Sequence, residues 1–133
     1  MTRRSTASTL ILLAALAGCS SSEMTARPSD EVAPLENVPR QAYPVDVDEL
    51  AQLLPYVFAE LHWGLERVDN QVTALAARGL TLADKPVIIR ARQVDRDATA
   101  VQIEVGPFGS PEEQAEFHRM LAAIVAEEIQ KRP

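Results

Sequence analysis

The chain has 133 residues, enough for one small domain, and its 19 acidic side chains outnumber 13 Lys and Arg to give a net charge of −6. That balance excludes a general nucleic-acid binder, because phosphate backbones need a basic surface. With one cysteine, Cys19, no intramolecular disulfide can form, so any domain here is held by its core alone.

Arg3 and Arg4 lead into an apolar stretch from Leu10 to Ala17, after which the chain turns polar at Ser20, Ser21, Ser22 and Glu23. A basic start, a short apolar segment and small residues at the cut are the pattern of a bacterial export signal, predicted over residues 1–18. The run Leu16-Ala17-Gly18-Cys19 resembles the lipobox of bacterial lipoproteins. That resemblance implies cleavage between Gly18 and Cys19, diacylglycerol on the Cys19 sulfur and acylation of the new amino group. Each buried CH₂ contributes about 0.8 kcal/mol, so two or three acyl chains there would make a durable anchor. Ala15-Leu16-Ala17 also presents an A-x-A pattern, whose use would leave Cys19 as a free thiol in a secreted protein. The apolar stretch is shorter than the ~20 residues needed to cross a bilayer. Ser20 after the cysteine resembles the sorting signal for the outer membrane in hosts with two membranes. The expected location is therefore the cell envelope, facing the periplasm in such hosts. Loss of Arg3 and Arg4 leaves the mature chain more acidic still, which argues against a second, electrostatic hold on anionic lipid.

Residues 19–45 contain Ser20–Ser22 and the prolines Pro28, Pro34, Pro39 and Pro44, with no sustained apolar period. The composition predicts a lipidated flexible tether, along which Val32, Leu35, Val38 and Tyr43 offer contacts to the domain surface. A domain is predicted over 46–133. Asp46 and Glu49 form a capping box, and Val47, Ala51, Leu54, Phe58 and Leu61 recur at helical spacing. Pro55 should kink this helix, and Gly64 suits its stop. Leu65, Val68, Val72 and Leu75 continue the four-three spacing, so one long helix over 47–78 with Gly79 as its cap is an alternative. Gly64 and the turn-like Asp69-Asn70 favour one or two short strands within 65–78 instead.

Val87, Ile89 and Ala91 alternate with Ile88, Arg90 and Arg92, as Val101, Ile103 and Val105 do with Gln102 and Glu104. With Asp95-Arg96-Asp97 between them, these runs predict an antiparallel hairpin in which Arg90 or Arg92 faces Glu104. Ser110, Pro111 and Glu113 mark the start of a closing helix that buries Phe117, Leu121, Ile124 and Val125. The core is poor in rings, with Phe58, Trp63, Phe108 and Phe117 as its candidates; Phe108 is expected to plug the gap between sheet and helix. The fold class is α+β: an N-terminal helix, an antiparallel sheet of three to four strands and a C-terminal helix, both helices on one sheet face and the other face open.

The segment Val101-Gln102-Ile103-Glu104-Val105-Gly106-Pro107-Phe108-Gly109, followed by a helix, resembles the signature of a family of small bacterial lipoproteins of uncharacterised function. The resemblance implies the same order of helix, antiparallel sheet and terminal helix behind a lipobox, over residues 44–130. Ser110 stands where that family has Asp, and Trp63-Gly64-Leu65 where it has Leu-Gly-Leu; residues 65–84 depart most. It supplies no catalytic residue.

Two histidines, His62 and His118, are too few for a histidine-rich metal centre and read as surface or helix-end residues. Asp46-x-Asp48 and Asp95-x-Asp97 lack the ligand number and glycine hinge of a calcium loop. No Gly-x-Ser-x-Gly elbow, phosphate-cradling glycine run or free thiol supplies a nucleophile. The sequence thus points to no cofactor, no metal and no catalysis. It reads as an anchored module binding an envelope protein or peptidoglycan, with Arg90, Arg92, Gln102 and Glu104 on the open sheet face as the candidate surface. An envelope glycan-acting enzyme using Asp/Glu pairs is the competing reading, and a purely structural lipoprotein a third.

Overall fold

The computed structural model describes residues 32–132. The unit that starts at Val32 carries every element below. The expected signal segment, the cleavage point at Gly18 and the lipid site at Cys19 lie outside the described residues. In chain order the elements are β1 (Gln41–Tyr43), α1 (Val47–Leu61), β2 (Gly64–Asn70), β3 (Ala74–Leu80), β4 (Pro86–Asp95), β5 (Ala98–Val105) and α2 (Pro111–Gln130). All strand pairs are antiparallel, in the order β1-β5-β4-β3-β2. The class is α+β as the pattern predicts, with five strands rather than three or four. The extra strand is β1, from within the predicted tether.

Asp46 starts α1 by accepting the Glu49 N–H at 2.8 Å. The helix runs through Pro55 and buries Val47, Leu50, Leu53, Leu54, Val57, Phe58 and Leu61. It stops at His62 rather than Gly64: His62 takes the left-handed conformation at φ 62°, and Trp63 N–H returns to the Phe58 carbonyl at 2.8 Å. Gly64 is thereby free to open β2.

The long-helix alternative is excluded, because residues 64–80 form a β-hairpin that reverses over 71–73, just past Asp69-Asn70. A bulge between Leu65 and Arg67 inserts one residue into β2. It places Leu65 and Val68 against the same core at a spacing of three, which imitates a helical period. Gly79 is not a helix cap but a mid-strand residue at a close approach. A Cβ there would sit 2.2 Å from the Gly64 carbonyl oxygen and 2.7 Å from Phe58 Cε2.

The β4–β5 hairpin forms with its turn at Asp95–Asp97. Val87, Ile89 and Ala91 join Val101, Ile103 and Val105 on the buried face, where both helices cover them. From α2, Phe117, Leu121 and Val125 enter this core, while Ile124 is half-buried at its margin. Phe117 stacks on Trp63 with ring centroids 6.3 Å apart, and Phe58 meets both rings edge-on. Phe108 takes no part in this trio. It stands 96% exposed on a corner that Gly106 and Gly109 turn with φ of 77° and 82°.

The capping box predicted at Ser110 is also replaced. Ser110 makes no side-chain cap bond; Gln114 Oε1 accepts both the Ser110 N–H (2.9 Å) and the Val105 N–H (3.1 Å). Glu113 turns to Lys85 Nζ at 2.8 Å instead. Hydrogen bonds from Lys85 and then Ser110 hold its carboxyl below the usual range.

Candidate functional site

The outer sheet face, away from the helices, holds all four predicted surface residues, but it is not open. Residues 32–40, expected to be tether, cross it as a strap. Val32 is buried against Ala74 and Ala76. Gln102, only 4% exposed, binds the strap backbone three times: it accepts the Leu35 N–H at 2.9 Å and donates to the carbonyls of Leu35 (2.9 Å) and Val38 (2.7 Å). A carboxamide suits this task, since one side chain both accepts and donates against an irregular backbone. Residues 32–45 therefore pack with the domain expected from residue 46, and Gln102 is a clamp rather than a docking residue.

The expected cross-strand ion pair is corrected by the register, which sets Arg90 opposite Gln102, Arg92 opposite Ala100 and Glu104 opposite Ile88. Arg90, Arg92, Arg40, Pro34 and Gln102 border a crevice of about 30 Å³, room for roughly one water. Of the four predicted residues, Arg92 is exposed and Glu104 half-exposed beside the strap.

On the other side of the strap lies a feature that the sequence reading missed. A groove of about 500 Å³ opens between α2 and the strap–β1 junction. Val38, Pro39, Ile103, Pro111, Ala115 and Ala122 form its apolar lining, with Arg40, Gln41, Gln114, His118 and Arg119 among them. The α2 residues recur every three or four positions, a helix stripe next to the core stripe. Their alanines and arginine read as ordinary solvent-facing residues in the sequence.

At this groove His118 is more than a surface residue. Its Nδ1 lies 2.5 Å from the Tyr43 hydroxyl, and the two rings stack with centroids 5.9 Å apart. Burial lowers the His118 pKa and pushes the Tyr43 phenol well above its ordinary value, which favours the uncharged form of both rings in this pair. His62 is exposed at the α1 terminus, as expected.

The paired carboxylates have local structural partners. Asp46 caps α1, Asp48 accepts from Asn70 Nδ2 at 3.0 Å, and Asp95 accepts the Arg96 N–H at 2.6 Å. Among the described residues, no group of three His, Cys, Asp or Glu side chains is placed to hold a metal ion. Trp63 packs half-buried in the core, whereas Tyr56 is 65% exposed on α1. Compared with known proteins, the chain matches no family model and none of the curated sequences.

Proposed function

We propose that this chain is a bacterial envelope lipoprotein, anchored by lipid on Cys19, whose α+β domain binds a partner without catalysing a reaction. In a host with two membranes it would sit on the outer membrane and face the periplasm. The observation that carries the reading is the run Leu16-Ala17-Gly18-Cys19 closing an apolar stretch behind Arg3 and Arg4. The domain supports the non-catalytic half. Gln102, Thr99 and Gln93 are tied to backbone of the strap, Val45 and Val47, so these polar side chains hold the fold together. Among the described residues no helix is long and apolar enough to cross a membrane.

Cell fractionation of the wild type and Cys19→Ala tests the anchor. The wild type should be found with membranes at the mass of a chain cleaved before Cys19 plus acyl groups. Cys19→Ala should be released or left uncut; a mature-sized variant still on the membrane would overturn the lipid reading. Crosslinking in intact cells tests the module, and failure to capture any partner at native abundance would count against it.

A further inference from the structure

The groove along α2 differs in charge from the rest of the molecule. Acidic residues outnumber basic ones 19 to 13 over the chain, yet among the described residues none lines the groove, where the charged lining residues are Arg40 and Arg119. Neither arginine makes an ion pair within the described residues. Arg119 sits on the helix wall, and Arg40 stands on the opposite side, where it also borders the crevice under the strap.

Beyond the outer edge of β1, the walls offer an extended peptide few backbone partners. Such a ligand needs unpaired backbone donors and acceptors from its host. Here the helix wall has its amides in intrahelical bonds beyond the first turn, and both walls contain a proline, Pro39 and Pro111, that has no N–H. Gln114 Oε1 already covers the free Val105 N–H at the β5 edge. An alkyl chain asks for none of these bonds. From Pro111 to Ala122 the helix wall runs about 16 Å at 1.5 Å per residue, a length suited to a linear ligand.

We propose that this groove binds a free single-chain acyl carboxylate. The alkyl chain lies along Pro111 and Ala115, and the carboxylate meets the Arg119 guanidinium, with Arg40 as its second cation. This goes beyond the binding-module reading and does not depend on lipid at Cys19.

Titration of the isotope-labelled full chain with monomeric dodecanoate, followed by amide NMR shifts, tests the assignment. Saturable shifts below about 1 mM are expected at Gln41, Ile103, Ala115 and Arg119. Arg119→Glu, a change on the exposed face of α2, should weaken binding at least about tenfold with the thermal midpoint nearly unchanged. Ala115→Trp should abolish it by filling the groove. Dodecyltrimethylammonium has the same chain and the opposite charge, and should bind at least about tenfold more weakly. No shifts at these amides, equal binding of the cationic amphiphile, or tighter binding of the peptide acetyl-Val-Ala-Val-Leu-Ala would each overturn the proposal. Binding only when the carboxylate is part of a phosphatidylglycerol–oleate vesicle would also overturn it, because the site would then be a membrane contact.

Discussion

The two faces of the sheet are covered by different physics. On the helix face, α1 and α2 bury a continuous set of Leu, Val, Ile and Phe side chains, and the contacts are apolar and non-directional. On the outer face, nine irregular residues are held by one valine against two alanines and by three hydrogen bonds to a single glutamine. The first arrangement tolerates conservative swaps and loses stability with volume; the second depends on one functional group and fails when that group changes.

The largest effect should come from the helix face. Phe117→Ala removes a fully buried ring that stacks on Trp63 and should cost about 3–5 kcal/mol in denaturant unfolding. Phe108→Ala is its counterpart, the same substitution at an exposed ring, and should stay within about 0.5 kcal/mol. Equal losses would erase the distinction between core and corner.

Next comes the clamp. Gln102→Leu keeps the size of the side chain but leaves the Leu35 N–H and the Leu35 and Val38 carbonyls without partners, at a cost of about 1–3 kcal/mol. Trypsin should then cut after Arg40 faster than in the wild type while the sheet and helices stay folded. Unchanged proteolysis would show that the strap is held by Val32 alone.

The smallest effect concerns pH at the junction of the two regions. The folded pKa of His118 is below its unfolded value of about 6.5, so the unfolded chain binds the extra proton. Stability is therefore full above about pH 6.5 and falls as pH drops through that value towards the lowered folded pKa. His118→Phe should flatten unfolding curves compared between pH 7.5 and 5. An unaltered pH profile would place the titration on other groups.

Legibility in the sequence follows the same division. The helix starting at Asp46, the 86–105 hairpin and the closing helix are readable because apolar periodicity is local and each has its own start or turn residues. Residues 64–80 are ambiguous for two identifiable reasons. The bulge after Leu65 gives a helix-like spacing, and the strap buries Ala74 and Ala76 on the face that would otherwise be polar, so β3 shows no alternation. Phe108 is misleading because an aromatic beside a strand end is normally core, whereas here the Gly106–Gly109 corner turns it out to solvent. Gln102 clamps residues 64 and 67 positions earlier, and Tyr43 meets a histidine 75 positions later. Partnerships at that range have no local pattern, and the groove between β1 and α2 exists only once both elements are in place.

The strap also sets a length. From Cys19 to Val32 there are 13 links, which extend to about 45 Å at most. With the proposed anchor at Cys19, the start of the domain at Val32 must lie within that leash of the bilayer surface. A pull on the tether bears first on Val32 against Ala74 and Ala76, then on the hydrogen bonds at Gln102, and only then on the strands. Peeling residues 32–40 away would pay out about 30 Å more chain, so the strap holds slack in reserve that tension on the anchor can release while the helices and the β2–β5 ladder stay intact.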